Sequence, residues 1–111
     1  MFAFEIPGMR FSLTAGGAVE RHRFVSVDTN SNGITATAST PIVGVSMNKV
    51  AQNEVLEVSD GIVIVEAGGA VAAGVAVTSD ASGKAVESES AGVGVALTAA
   101  SAAGELITVK L

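Results

Sequence analysis

The sequence contains no cysteine, tryptophan or tyrosine, and its single histidine is His22. Without cysteine there is neither a disulfide framework nor a thiolate nucleophile. With one histidine, His-based catalytic triads and zinc sites built on several His or Cys ligands lack candidates within one chain. His22 lies between Arg21 and Arg23, whose charges disfavour a protonated imidazole. We therefore expect a solvent-facing or interface histidine, and a protein that is not an enzyme.

Positive charge is also scarce, and it is richest near the start of the chain. The formal net charge is -5 at pH 7. Residues 1–24 carry three arginines against two glutamates, whereas residues 25–111 carry three lysines against nine acidic residues. Nucleic-acid binding needs a basic face that neutralises phosphates, so the acidic body argues against a nucleic-acid partner.

No segment has the pattern of a signal peptide or of a membrane span. Glu5 and Pro7 stand where a signal peptide needs a basic segment followed by an apolar one. The longest uncharged stretch near the middle, residues 67–79, is too short and too rich in glycine to span a bilayer. We expect no membrane partner and synthesis in the cytoplasm of the producing cell.

Aromatic residues are few, and all four are phenylalanines near the start of the chain: Phe2, Phe4, Phe11 and Phe24. The core after Phe24 must therefore be built from small aliphatic side chains, since the hydrophobic residues are mostly alanine and valine. Such side chains pack well between closely spaced sheets, but each buries little apolar area. A monomer then has a thin margin of stability, which favours oligomerisation or docking on a larger surface.

The clearest feature that is present is an internal repeat. Gly16-Gly17-Ala18-Val19 recurs as Gly68-Gly69-Ala70-Val71, and later matches keep their order if two small shifts are allowed, the first of two residues within a turn. Two copies are too few for a solenoid, so the repeat predicts a duplicated β-unit within one domain. The later matches are Val25 with Val77, Asp28 with Asp80, Gly33 with Gly83, Val43-Gly44-Val45 with Val93-Gly94-Val95, Glu54 with Glu105, and Val58 with Val109.

Short runs of valine, isoleucine and threonine, bounded by Gly, Asn, Asp and Ser, predict strands along the whole chain. Turn signals recur about every ten residues, a spacing typical of sandwiches and barrels. Asp60-Gly61, between two such runs, predicts a tight hairpin. The predicted strands are Phe24–Asp28, Ile34–Ala38, Ile42–Met47, Glu54–Val58, Ile62–Val65, Val75–Thr78, Lys84–Glu87, Val93–Leu97 and Leu106–Lys110.

These signals predict an all-β fold, a single small β-sandwich or barrel of jelly-roll type. We place this domain at residues 16–111, with pseudo-repeats at about 16–58 and 68–109, preceded by an extended N-terminal arm, residues 1–15. Phe2, Phe4 and Ile6 alternate in the arm and share one face if it is extended. Two interpretations stay open: the arm completes its own sheet, or it adds a strand to a neighbouring subunit.

The motifs that carry chemistry are incomplete. Ser82-Gly83-Lys84 lacks both the first glycine and the following Ser or Thr of a phosphate loop. The loop at residues 28–32 has oxygens suited to calcium but lacks the bidentate glutamate of an EF-hand, so calcium there is only a minor hypothesis. Glu87 and Glu89 are read as a solvated acidic face, although an enzyme that uses carboxylates alone is a further alternative. We expect no cofactor and no metal.

Two segments resemble the capsid cement, or decoration, proteins of tailed phages. Residues 61–86 read GIVIVEAGGAVAAGVAVTSDASGKAV, and residues 93–109 read VGVALTAASAAGELITV. The resemblance extends over about residues 16–111. It implies a β-rich structural virion protein on the outer surface of an icosahedral head, where it would bridge neighbouring major capsid protein subunits against internal pressure.

An apolar arm rich in phenylalanine suits such a role, since buried aromatics tend to dominate interface energetics. Arginines near the arm suit pairing with acidic groups on the shell or on an adjacent subunit. We also expect a homo-oligomer, with a trimer favoured over a dimer. The alternative function is a soluble β-module that binds another protein or a small ligand. The predicted capsid or subunit interface comprises Phe2, Phe4, Ile6, Arg10, Phe11, Arg21 and Arg23.

Overall fold

A computed structural model of the chain describes residues 3–90 and 92–111. These residues form nine β-strands in one sheet, and all strand pairs are antiparallel. The sheet curls into a half-barrel, which confirms the all-β prediction. The strands are β1 (Ile6–Thr14), β2 (Phe24–Val27), β3 (Gly33–Thr35), β4 (Gly44–Ser46), β5 (Val55–Glu66), β6 (Ala76–Ser79), β7 (Ala85–Glu87), β8 (Gly94–Ala96) and β9 (Leu106–Lys110).

Strand order follows the duplication. The sheet runs β3-β2-β4-β5-β9-β8-β6-β7, and β1 pairs with β5 beside this path. β5 therefore belongs to both halves: its first part pairs with β1 and β4, and its second part pairs with β9. Within the described residues, no helix is long and apolar enough to cross a membrane.

The hairpin predicted at Asp60-Gly61 is wrong. β5 runs without interruption from Val55 to Glu66. Gly61 has a φ of 92°, and a Cβ built on it would lie 2.5 Å from the backbone nitrogen of Gly8 on β1. The glycine is therefore explained by the close approach of two strands at a positive φ, and not by a reversal of the chain.

The N-terminal segment forms part of the sheet of its own chain. Residues 6–14, which were predicted to lie in an arm, are paired with β5 from Ile6↔Ile62 to Thr14↔Val55. The register shifts between Pro7 and Arg10, so the Pro-Gly pair causes a bulge and does not end the strand. For these residues the structure shows the first of the two interpretations, completion of the chain's own sheet.

The same backbone hydrogen bonds occur in both halves. Asp28 N–H donates to Asn32 C=O and Ser31 N–H to Asp28 C=O, as Asp80 N–H does to Lys84 C=O and Gly83 N–H to Asp80 C=O. The Gly33–Gly83 match is therefore wrong: Gly83 (φ 77°) is equivalent to Ser31 (φ 64°). The two-residue shift lies instead between β3 and β4, where the second half has the shorter connection. A serine in a positive-φ position concealed the true alignment.

We define the first unit as residues 11–59 and the second unit as residues 63–110, because strand pairs repeat across these ranges. Each unit has a core on its inner face. The first core contains Ala15, Val19, Val25, Val50, Leu56 and Val58, with Phe11 and Leu13 packed against it. The second core contains the equivalents Ala67, Val71, Val77, Ala100, Ile107 and Val109, together with Val63, Val65, Ala85 and Ala96, and with Phe24, Ala36 and Val45 from the first unit.

Candidate interaction surface

Residues 4–10 include three large apolar side chains that are exposed. Ile6 and Met9 are 63% and 67% exposed, and Phe4 is 38% exposed. Arg10 is exposed beside them on β1. We call Phe4, Ile6, Met9 and Arg10 the arm residues. Large apolar side chains at such exposure are candidates for contact with a partner.

The start of the arm is fixed to the sheet by its backbone. The N–H of Phe4 donates to Thr108 Oγ1 at 2.6 Å, and the Thr108 hydroxyl donates to Phe4 C=O at 2.6 Å. The N–H of Met9 donates to Asp60 Oδ1, also at 2.6 Å. These bonds hold the backbone at Phe4 and Met9 against the sheet, while the side chains of Phe4, Ile6 and Met9 are exposed.

The remaining residues of the predicted interface are divided among different environments. Arg21 is exposed. Phe11 is partly buried against the first core, and Phe2 lies outside the described residues. Arg23 pairs with Glu66 of its own chain, and its Nη2 atom lies 3.2 Å from Glu66 Oε1. Phe4, Ile6 and Arg10 are thus all exposed near the N-terminus, whereas Arg23 has an intrachain contact.

Glu66 joins the two units through an ion triad. Its Oε2 atom lies 3.0 Å from Lys84 Nζ, and its other oxygen contacts Arg23. The three side chains are 17–29% exposed, so water screens them only partly. The backbone N–H of Glu66 also donates to His22 C=O at 2.9 Å. The triad therefore stabilises the packing of the first unit on the second.

The hydrogen bond from Lys84 is the main cause that lowers the pKa of Glu66, burial opposes it, and Arg23 adds to it. Because the folded-state pKa lies below the ordinary value of 4.5, the triad stabilises the fold above that pH. This stabilisation is lost as the pH falls from there through the folded-state pKa. We expect Glu66→Gln to be less stable than wild type at neutral pH and to approach wild type at acid pH. Urea unfolding across the pH range measures this.

The matched control for this experiment is Glu89→Gln, because Glu89 is exposed. Its unfolding free energy should follow that of wild type at every pH. A constant difference between Glu66→Gln and wild type across the pH range would show that the ionised carboxylate is not what matters. His22 contributes a separate pH dependence of stability. Burial, followed by the charge of Arg21, lowers the pKa of its imidazole from the ordinary value of 6.5, so this stability is lost as the pH falls from that value.

The loop at residues 28–32 has a structural use for its carboxylate. Asp28 Oδ1 accepts the N–H groups of Asn30 and Asn32, each at 2.9 Å. In the second unit Asp80 Oδ1 accepts those of Ser82 and Lys84 in the same way. The repeated aspartate is thus explained by closure of a turn. No group of three or more His, Asp or Glu side chains that could hold a metal ion occurs in the part of the chain that the structure describes.

Sequence reasoning missed two features of this surface. Met9 was missed because it follows the Pro-Gly bulge and does not continue the alternation of Phe2, Phe4 and Ile6. The Glu66–Lys84 pair lies within the second unit and the Arg23–Glu66 pair joins the two units, and nothing in the spacing of these residues indicates either contact. A correct alignment of the repeats offers one signal for the contact. Glu66 and Lys84 are charged, whereas the equivalent residues of the first unit, Thr14 and Asn32, are uncharged, so both charges of the pair occur in one unit only.

The fold and surface define a class of protein: a small all-β module, built from a duplicated unit, that exposes apolar side chains along its first strand. A family model described as phage cement protein matches residues 6–111. The chain therefore belongs to the phage cement protein family, which confirms the resemblance seen in its sequence. Its role is that of a structural, capsid-associated phage protein.

A solved structure shares the fold. The crystal structure of the head fiber gp8.5 N base in bacteriophage phi29 is similar with a TM-score of 0.77 and 21% sequence identity. The similarity covers 93% of this chain and 92% of that chain. No curated protein matches the sequence.

Proposed function

We propose that the protein binds the outer surface of an icosahedral phage capsid and cements neighbouring major capsid protein subunits against internal pressure. The match of the cement family model to residues 6–111 carries the proposal. The head-fiber base of similar fold is also, by its name, a phage head protein, which supports a place on the head. The role needs no catalytic group, and we propose that the protein is not an enzyme.

The arm residues are the proposed contact with the capsid. Their side chains point outward while their backbone is bonded to the sheet, so binding requires little further ordering. Arg10 and Arg21 add positive charge that can pair with carboxylates on the shell. We propose Phe2 as a further contact. Phe11 and Arg23 are proposed to contribute indirectly, because they stabilise the fold on which this surface lies.

Because many copies bind one head, weak contacts by each copy are enough to stabilise the capsid. Each copy that touches two or more capsid subunits binds the assembled lattice and not free subunits, so it stabilises the lattice by linkage. When one assembly makes several weak contacts, the first contact raises the effective concentration for the others, so the overall affinity exceeds that of a single contact. We propose a homo-oligomer, with a trimer favoured over a dimer, made in the host cytoplasm and assembled onto the virion.

The test adds purified protein to heads that lack it and counts bound copies per head after sedimentation. The heads are then challenged by heat or low salt, and DNA release is measured. We expect a fixed stoichiometry and reduced DNA release. Failure of the heads to bind the protein would favour the alternative, a β-module for another protein or a small ligand.

A double variant, Ile6→Asp with Met9→Asp, tests the contact surface. Both side chains are more than 60% exposed, so the fold should persist while apolar contact with the capsid is lost. We expect occupancy to fall by about tenfold or more, as for a residue at the centre of an interface. Val55→Asp is the matched control, since Val55 is 60% exposed on β5. Equal occupancy for the double variant and the control would reject the arm as the contact.

A further inference from the structure

Equivalent residues of the two units differ in burial, although their backbones are paired alike. Phe11 and Leu13 pair with Val58 and Leu56, as Val63 and Val65 do with Val109 and Ile107. The valines are fully buried, whereas Phe11 and Leu13 are only partly buried. The difference arises from what lies over each core.

The second core is covered by the first unit. Phe24, Ala36 and Val45 are fully buried in the cluster that contains Val63 and Val65. Phe24 N–H also donates to Gly83 C=O of the second unit at 2.8 Å. We call Phe24, Ala36 and Val45 the internal cover. One unit thus packs its outer face on the inner face of the next.

The second unit carries the counterpart of the internal cover on its own outer face. Ala76 pairs with Val95 as Phe24 pairs with Val45, and Ser88 N–H bonds Ala76 C=O as Ala36 N–H bonds Phe24 C=O. Val95 is 42% exposed where Val45 is 0% exposed. We call Ala76, Ser88 and Val95 the outer face.

The first unit presents the matching open core. Val27, at the end of β2, is 42% exposed, but its counterpart Ser79 in the second unit is 1% exposed. Leu13 lies close by, since a Cβ built on Gly33, the partner of Val27, would be 3.2 Å from the Leu13 side chain. We call Phe11, Leu13 and Val27 the open face.

We infer that the outer face of one copy packs on the open face of a second copy, and so repeats between chains the contact that joins the two units within a chain. The occupant of each face is another copy of this protein because the chain already contains this contact once. The contact is heterologous, so it forms a ring when its rotation closes. It deepens the homo-oligomer proposed above but does not depend on capsid binding.

Two intermolecular hydrogen bonds follow from the internal contact. The equivalent of Phe24 N–H to Gly83 C=O is Ala76 N–H to Ser31 C=O of the second copy. The bond from Glu66 N–H to His22 C=O becomes one from Thr14 N–H of the second copy to Gly74 C=O of the first copy. Ala15 N–H donates to the C=O of Glu54, the residue before β5, so by alternation the Thr14 N–H points away from β5 and towards this contact.

The ion triad is not repeated between chains. The positions equivalent to Arg23, Glu66 and Lys84 are occupied by the uncharged residues Val75, Thr14 and Asn32. Exposed ion pairs weaken with salt, whereas apolar contacts do not. Self-association is therefore expected to persist at high salt.

The experiment measures mass in solution, without heads, by native mass spectrometry and light scattering. At about 100 µM, where a contact with a micromolar dissociation constant is occupied, wild type should exceed the mass of one 10.9 kDa chain. Val95→Asp removes the outer face and Val27→Asp the open face. Each should weaken association at least about tenfold, since the carboxylate would have to be desolvated in an apolar contact.

Matched controls come from positions exposed in both units. Val55 and Leu106 are 60% and 45% exposed and equivalent, so the proposed contact buries neither. Val55→Asp and Leu106→Asp should assemble like wild type. A mixture of Val95→Asp with Val27→Asp retains one intact outer face and one intact open face. It should give a one-to-one heterodimer and nothing larger.

Several outcomes would overturn the inference. A monomeric wild type at this concentration would do so, as would association that all four variants leave intact. Association without heterodimer in the mixed sample would show a contact between like faces. None of these results bears on capsid binding, which the occupancy measurement tests separately.

Discussion

Replacing Phe24 with alanine is expected to lower the free energy of unfolding by about 3–5 kcal/mol. Phe24 is fully buried and, among the residues that the structure describes, is the one aromatic side chain in the second core. It also belongs to the first unit, so its ring holds one unit against the other. Small domains are stable by only about 5–15 kcal/mol, so the loss is a large part of the total.

Two features of the surroundings place the expected value at the upper end of this range. The neighbours of Phe24 in the second core are valine, alanine and isoleucine side chains. Short β-branched residues on paired strands have few alternative rotamers with which to fill a cavity the size of a phenyl ring. The cavity therefore persists, and its cost adds to the lost transfer free energy of the ring.

Phe11→Ala is the matched control for this substitution. It removes the same group from the first core, where the phenylalanine is only partly buried. Its effect on urea unfolding should therefore be clearly smaller. Equal losses for the two variants would contradict the assignment of Phe24 as the residue that joins the units.

Composition and local pattern were sufficient to predict the class of fold. Valine-rich runs between turn residues gave strands that coincide with β2, β6 and β9 to within one or two residues. These signals are local, because strand propensity and turn chemistry act over a few residues. The duplication was also visible, although a serine at positive φ shifted one alignment.

The errors arose where one sequence signal has two physical causes. Asp-Gly predicts a hairpin because glycine accepts positive φ, but glycine is also needed where two backbones approach closely. At residue 61 the second cause applies. The cover of the second core by Phe24 and Val45 was equally hidden, since a strand pattern shows that a residue is buried but not which residue buries it.

Gly61→Ala is expected to loosen β1 from β5 and to reduce stability by more than backbone strain alone. A positive φ of 92° is unfavourable for alanine by about 1–3 kcal/mol. The new methyl group would also meet the backbone of Gly8 and lie 3.2 Å from Ile6 C=O. Backbone atoms cannot rotate away as a side chain can, so the strands must separate.

Two glycines allow the causes to be measured one at a time. Gly74 has a φ of 84° with no other atom within 4 Å of the new Cβ, so Gly74→Ala reports the conformational strain alone. Gly69 is equally open and has no positive φ, so Gly69→Ala should be nearly neutral. The free-energy cost of the clash is the amount by which Gly61→Ala lowers the free energy of unfolding more than Gly74→Ala does.

Hydrogen exchange then locates that loss. Amides of β1 should exchange faster in Gly61→Ala than in wild type, while those of β9 stay protected, because Ile62 to Glu66 keep their register with β9. Since β1 carries Phe11 and Leu13 of the open face and most of the arm residues, the same variant should lose both self-association and capsid occupancy. A stable variant with normal β1 protection would show that Gly61 is not required by the approach of Gly8.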